Sequence, residues 1–223
     1  MASILKVDKI RGTGLDSDTI SLDGTGNITI PKNVTFSGTV AGDNNGMVLL
    51  QTTSISDAVA SVTIGSTSLF TNTYKIFKIF ASRVRGTVDG AHGHIRYIIG
   101  GSEKTDTNYE FNRWWSYGGS GTLNGVSQNN TSVFEYWWGQ SNGTGGSGKE
   151  TSNFQVTIYD PASNDNYKHI SIQTANDDLS SNSAIQLCSG RYEGGAGEPL
   201  EGLKFYLSSG NIQQGNFTLY GIK

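Results

Sequence analysis

YKIFKIFASRV, residues 74–84, has the clearest strand pattern in the chain. Successive side chains of a strand point to opposite faces, so Tyr74, Ile76 and Phe80 share one face. Phe77 and Ile79 share the other. A strand with apolar residues on both faces is covered on both sides. We expect one face to lie in a β-sandwich core, and the other to contact a second subunit or to lie beneath a long loop of the same chain.

Nine further segments with strand character accompany this one. Thirty glycines and three prolines among 223 residues suit strands joined by glycine-rich turns. The ten segments cover residues 58–65, 74–86, 93–101, 109–117, 131–140, 153–160, 169–175, 184–190, 200–208 and 216–222. Their number and spacing predict an all-β protein whose main domain is an antiparallel two-sheet sandwich.

The N-terminal stretch DGTGNITIPKNVTFSGTV, residues 23–40, has shorter runs. Its regularly spaced apolar residues are Ile28, Ile30, Val34, Phe36 and Val40. About 40 residues bury too little apolar surface to offset roughly 1 to 2 kcal/mol of backbone entropy per residue. We therefore expect residues 1–46 to form an intertwined trimeric β-stem with this apolar face as its core, and residues 47–223 to form the sandwich. The alternative is a leader that never becomes ordered.

Composition and charge limit the kinds of partner that the chain is expected to bind. The formal net charge is -3 and no run of Lys and Arg occurs, which argues against nucleic acid as a partner. The start, MASILKVDKIRG, lacks the apolar core of a signal peptide, and no stretch approaches the roughly 20 apolar residues of a membrane span. Cys188 is the single cysteine, which fits folding in a reducing cytoplasm. We expect no membrane insertion and no disulfide.

Two tryptophan pairs are the most informative stretches for binding. Neighbouring side chains of a strand face opposite ways, so one ring of each pair faces outward. Trp114 alternates with Glu110 and Asn112 in YEFNRWWSY, and Trp137 alternates with Glu135 in SVFEYWWGQ. If the two strands form a hairpin through the loop 118–130, both exposed rings lie on one face.

An exposed aromatic pair beside polar side chains is suited to stacking on sugar rings and to hydrogen-bonding their hydroxyls. The sequence therefore predicts a glycan site at Trp114, Trp137, Glu110, Asn112 and Glu135. The competing interpretation is that both rings pack between subunits or beneath the 141–150 loop, because large aromatics in sandwiches are more often packing residues than ligand platforms.

Signals for catalysis or cofactors are weak. His92 and His94 have a spacing compatible with a metal, but His169 is distant in sequence and no carboxylates cluster with the pair. The acidic residues are dispersed, without a pair placed for polysaccharide hydrolysis. We expect a protein without a cofactor that is not an enzyme.

Both ends of the chain resemble virion appendages of tailed bacteriophages, particularly tail fibres of marine and cyanobacterial phages. ILKVDKIRG and TISLDGTGNITIPKNVTFSGTV resemble the N-terminal segments of these proteins. ASVTIGSTSLFTNTYKIFKI resembles the first long strands of their jelly-roll tip domains, and GLKFYLSSGNIQQGNFTLYGIK is similar to the closing strands. Residues 86–200 carry little of the likeness.

The resemblance implies a homotrimeric virion fibre assembled in the host cytoplasm. Residues 1–22 would attach to other tail or capsid proteins, and the sandwich would meet a host cell-surface glycan or receptor. In a trimer the face of Tyr74, Ile76 and Phe80 is a candidate interface of the tip domain. Two alternatives remain: a purely architectural head fibre, decoration or tail component without a receptor, and a polysaccharide-degrading tailspike.

Overall fold

The strand pairing of the computed structural model builds three antiparallel sheets. The structure describes residues 9–10, 20–22, 28–29, 46–137, 151–177, 183–195 and 197–223. The chain divides into two compact units, Met1–Asp43 and Asn44–Lys223. Of the predicted stem core, Ile30, Val34, Phe36 and Val40 lie outside the described residues, and Ile28 is described through its strand pairing.

The N-terminal unit contains a three-stranded meander. Its strands are β1 (Lys9–Ile10), β2 (Ile20–Leu22) and β3 (Ile28–Thr29). β2 pairs antiparallel with both neighbours, with Leu22 opposite Ile28. Of the residues with period-2 spacing, Ile28 lies in β3, which pairs with β2 of the same chain.

The second unit is an antiparallel β-sandwich. Its strands are β4 (Met47–Ile55), β5 (Ser61–Ile64), β6 (Ile76–Gly86), β7 (Gly93–Ile99), β8 (Ser102–Glu103), β9 (Tyr109–Tyr117), β10 (Asn124–Thr131), β11 (Phe134–Trp137), β12 (Ser152–Tyr159), β13 (Lys168–Asp177), β14 (Ser183–Tyr192), β15 (Gly202–Leu207) and β16 (Ile212–Ile222). One sheet has the order β10-β9-β14-β13-β12-β6-β16-β4. The other has the order β11-β7-β15-β5, with β8 on β7. The all-β sandwich prediction is confirmed.

Strands near the start of this unit pair with strands at its end. β6 pairs with β16 in the eight-stranded sheet, and β7 pairs with β15 in the five-stranded sheet. Two consecutive strands near the start of the unit are therefore nested against two consecutive strands at its end. The described residues include no helix, so none is available to span a membrane.

The core follows the alternation that the sequence predicted for β6. Phe77 and Ile79 are fully buried, whereas Ile76 and Phe80 face outward. A second buried group is aromatic, with the rings of Tyr97, Tyr109 and Tyr192 within 5.9 Å of one another. The hydroxyl groups of these tyrosines donate hydrogen bonds to the Lys168 carbonyl, the Lys104 carbonyl and Asp106, which removes the cost of burying them.

Three strands of the sandwich were not predicted from the sequence: the two-residue β8 beside β7, and both edges of the eight-stranded sheet. β4 forms one edge and β10, within the predicted 118–130 loop, forms the other. β9 therefore makes its hairpin with β10, while β11 pairs with β7 in the other sheet. The predicted hairpin between the two tryptophan strands is wrong.

Candidate functional site

The outer face of the eight-stranded sheet holds most of the exposed large apolar side chains of the sandwich. Cross-strand register places one row of residues across seven strands, from β4 to β9. That row is Thr52, Thr218, Phe80, Gln155, Gln173, Leu187 and Trp114. The face divides into an apolar area towards β4 and a trough towards β9.

The area towards β4, which we call the apolar patch, consists of Met47, Leu49, Ile76, Phe80 and Tyr159. All five are exposed, and the Leu49 side chain retains 57% of its accessible area. The strands place these residues side by side, with Ile76 opposite Tyr159 across β6 and β12. Lys78 lies between Ile76 and Phe80 on the same face of β6, so the patch surrounds one cation. Exposed apolar side chains clustered in this way mark a contact site in a folded protein.

Tyr74, predicted on the same face as Ile76 and Phe80, is placed differently. It precedes β6, and its ring packs edge-on against Phe77 of the core at 5.7 Å. A glycine at position 221 makes room, because an added Cβ there would lie 2.5 Å from the tyrosine ring. Alternation along β6 does not extend to a residue outside the strand, so Tyr74 belongs to the core and not to the candidate interface.

The area towards β9, which we call the amide trough, is built around Gln155 and Gln173. These residues are directly opposite each other on β12 and β13. Depressions of about 700 Å³ and about 260 Å³ flank them, and both glutamines line both depressions. Phe80 and Ile185 also line the larger depression, and Trp114 and Leu187 line the smaller one.

β14 has an inverted polarity that opens this surface. Its inward residues are Ala184, Gln186 and Cys188, whereas Ile185 and Leu187 face outward with 48% and 47% of their area exposed. A register shift of one residue would exchange the two faces. Instead, Gln186 is accommodated inside by a hydrogen bond to the Asn176 side chain.

β9 repeats the inversion beside it. Arg113 is 4% exposed on the inward face, while Trp114 is 51% exposed on the outward face, as alternation along the strand predicted. The indole lies across Gly125 of β10, where an added Cβ would come within 2.8 Å of the ring. The missing side chain therefore lets the ring extend over the neighbouring strand.

Glu110 and Asn112 lie on the outward face of β9 with Trp114, as expected. Neither is wholly free. The Glu110 carboxylate accepts a hydrogen bond from Arg191 at 2.8 Å, and the Asn112 side-chain oxygen accepts one from Ser127 at 2.6 Å. Both border a depression of about 390 Å³ that is separate from the trough.

Glu135 and Trp137 do not join Trp114. Both belong to β11 in the five-stranded sheet, where Trp137 pairs with Gly93. The Glu135 carboxylate lies 2.6 Å from Arg113 and 3.0 Å from the His92 ring. Burial opposes ionisation of Glu135, but hydrogen bonds from His92 and Arg113 outweigh it and lower its pKa to about 2. The predicted five-residue site is therefore wrong as a unit, because Glu135 compensates the buried Arg113 charge.

His92 and His94 lie beside this ion pair. Burial lowers the pKa of His94 to about 4, despite the opposing effect of Glu135. Its ring packs edge-on against Tyr206 at 5.3 Å. No group of three or more potential metal ligands occurs among the residues that the structure describes.

The outer face of the five-stranded sheet neutralises its own charges. Glu103 accepts hydrogen bonds from Arg96 at 2.9 Å and from Lys204 at 2.5 Å. Both cations also lie over the Tyr206 ring, within 5.8 Å of its centre. The charged groups here already have partners, which distinguishes this face from the amide trough.

Comparison of the chain with protein-family models, with curated proteins and with solved structures found no match. The site therefore rests on its geometry. Sequence reasoning missed Gln155 and Gln173, since a glutamine on an alternating strand is indistinguishable from an ordinary surface residue. The sequence of β14 did carry a signal, because Ile185 and Leu187 share a parity opposite to Cys188.

Proposed function

We propose that this chain is a homotrimeric fibre protein of a bacteriophage virion that binds a host cell-surface glycan or receptor with its sandwich domain. Residues 1–22 would attach the fibre to a tail or capsid protein. The inverted polarity of β9 and β14 carries the binding part of the proposal. These strands keep Arg113 and Gln186 inside and present Trp114, Ile185 and Leu187 to solvent, an arrangement that favours contact over core stability.

The resemblance of both chain ends to phage fibres supports the virion part. The nested pairing of β6 with β16 and of β7 with β15 suits the jelly-roll tip domains of those proteins. The apolar patch supports self-association. β4 pairs with β16 and has no strand on its other side among the described residues, so Met47 and Leu49 lie at an edge that a second copy would cover.

A purely architectural fibre is the second candidate. The observation that favours it is that the apolar patch and the amide trough share one sheet face, with Phe80 bordering both. A single neighbouring subunit laid over the whole face would bury both areas and leave no receptor site.

The mass of the protein in solution tests whether it forms a trimer. We expect light scattering to give three chains per particle for the full chain. A chain beginning at Met47 separates the two contributions, because a trimer at that length locates the contact in the sandwich and a monomer locates it in residues 1–46. Monomers at both lengths would contradict the fibre proposal.

Cell binding tests the receptor role. Fluorescently labelled full-length protein is expected to decorate a susceptible strain within a panel of marine bacteria and cyanobacteria, and Trp114→Ala is expected to weaken the decoration at least tenfold while the mass stays unchanged. The matched control is Tyr167→Ala, which removes an exposed aromatic ring outside the trough. Loss of the trimer in Trp114→Ala would instead support the architectural candidate.

A further inference from the structure

We propose that the amide trough binds a neutral oligosaccharide, with Trp114 as its stacking platform and the side chains of Gln155 and Gln173 as its hydrogen-bonding groups. This inference rests on the proposed host-binding function and names the chemical class of the ligand. It assigns recognition to two glutamines on β12 and β13.

The described lining of the trough carries no formal charge. Among the residues that the structure describes, none that lines the two depressions is Asp, Glu, Lys, Arg or His. Other depressions differ, since one contains Glu110 and another contains Asp160, Asp165 and His169. The cations of β6 nearest to Phe80, Lys78 and Arg83, do not line the trough. A site without compensating charges does not repay the desolvation of an ionic ligand, so the trough selects an uncharged one.

Free amides supply the polar recognition. The side chains of Gln155 and Gln173 make no hydrogen bond within the described part of the chain, although they lie opposite each other on adjacent strands. Each amide presents two donor hydrogens and an acceptor oxygen, so the pair matches hydroxyl groups that both donate and accept. A wholly apolar ligand would leave these groups unpaired when it covered them.

Trp114 supplies the stacking surface. The indole is held over Gly125 and is half exposed, so it presents apolar area without a change in the backbone. Trp114 and Gln155 are three strands apart in the same cross-strand row, a span of about 14 Å at the usual strand spacing. That span fits several linked sugars better than a single ring, and Leu187 lies within it.

Titration of the full-length protein with oligosaccharides tests the ligand class. The probes are neutral oligomers of glucose, mannose, galactose and N-acetylglucosamine, and uronic-acid and sialylated oligomers of matched length. We expect a neutral oligomer to bind with an affinity that changes less than twofold between 50 mM and 500 mM NaCl, because an uncharged ligand is not screened.

Three variants test the assigned residues. Trp114→Ala is expected to weaken binding at least tenfold. The double variant Gln155→Leu/Gln173→Leu keeps apolar contact but removes the amides, and it is expected to weaken binding at least tenfold as well. Gly125→Ala retains the tryptophan but displaces its ring, and it is expected to weaken binding by a smaller factor. Tyr167→Ala is the matched control and leaves binding unchanged.

The outcomes distinguish a wrong ligand class from a wrong proposed function. Preferential, salt-sensitive binding of an acidic oligomer would overturn the neutral class while leaving host binding in place. Cell decoration that no oligosaccharide inhibits, or that Gln155→Leu/Gln173→Leu strengthens, would assign the face to a protein receptor and overturn the carbohydrate inference alone. Absence of both cell decoration and oligosaccharide binding would overturn the inference together with the proposed function.

Discussion

The two outer faces of the sandwich differ in whether their exposed side chains already have partners. On the five-stranded sheet, Arg96, Glu103 and Lys204 bind one another around the Tyr206 ring. On the eight-stranded sheet, the apolar patch and the amide trough expose apolar side chains and unpaired amides.

This contrast identifies the face that is available to a partner. A network of ion pairs that is already satisfied gains little from a new contact, because any partner must replace its existing hydrogen bonds. Exposed apolar area and free amides gain from being covered. The comparison therefore points to the eight-stranded face as the contact surface of the protein.

The largest effect is expected from charging the apolar patch. Leu49→Glu places a carboxylate in that patch, and a trimer held by the sandwich would bury three such charges, so light scattering on the chain that begins at Met47 should show a fall from trimer to monomer. Thr63→Glu adds the same charge to the exposed surface of β5 in the other sheet, beside Lys204, and leaves the mass unchanged. Equal masses for both variants would remove the distinction between the faces.

Removing a buried charge partner is expected to have the next largest effect. Glu135→Gln leaves the buried Arg113 guanidinium without its carboxylate and should lower the free energy of unfolding by about 3 kcal/mol in urea denaturation. The matched change Glu103→Gln disrupts more exposed pairs and should cost about 1 kcal/mol. If Glu103→Gln costs as much as Glu135→Gln, the ion pairs around Tyr206 contribute more than exposed pairs do.

The adjacent residues Trp114 and Trp115 allow an outward-facing ring and an inward-facing ring of the same strand to be compared by their effect on stability. Trp115 packs beneath Arg113 at 5.1 Å, so Trp115→Ala should destabilise the sandwich by about 2 kcal/mol. Trp114→Ala removes a half-exposed ring and should change the free energy of unfolding by less than about 0.5 kcal/mol. A larger loss for Trp114→Ala would assign that ring to packing rather than to binding.

A smaller effect is expected with pH. The pKa of His94 is about 4 in the folded chain, against an ordinary value of 6.5. The unfolded chain therefore binds the proton first, so stability is complete above pH 6.5 and falls as the pH drops towards 4. We expect a loss of about 1.5 kcal/mol between pH 6.5 and pH 5, measured by thermal unfolding.

A histidine variant isolates this effect. His94→Gln should flatten the stability profile over this pH range, because it removes the titrating ring. An unchanged slope in His94→Gln would assign the acid sensitivity to other groups.

Sequence pattern predicted the central strands because burial on at least one side imposes a period of two. In β6 the alternation correctly places Phe77 and Ile79 in the core and Ile76 and Phe80 outside. The edge strand β10 escaped prediction for the same reason. β10, with the sequence NGVSQNNT, has one neighbour and little apolar burial, so it has the composition of a loop.

The candidate site was only partly predictable. Alternation alone placed Trp114 outward, since that depends on one strand. The pairing of Trp137 with Gly93 depends on which sheet β11 joins, and no local pattern specifies a partner strand. Gln155 and Gln173 become a pair only through the register of β12 with β13.

Covalent carbene footprinting of the full-length protein in solution measures the accessibility of individual side chains on both faces at once. We expect strong protection of Met47, Leu49 and Phe80 by neighbouring subunits, with Trp114 labelled as readily as the exposed loop residue Leu123. Labelling of the apolar patch at the level of Leu123, or protection confined to Tyr206 and the five-stranded face, would show that the eight-stranded face is not the contact surface.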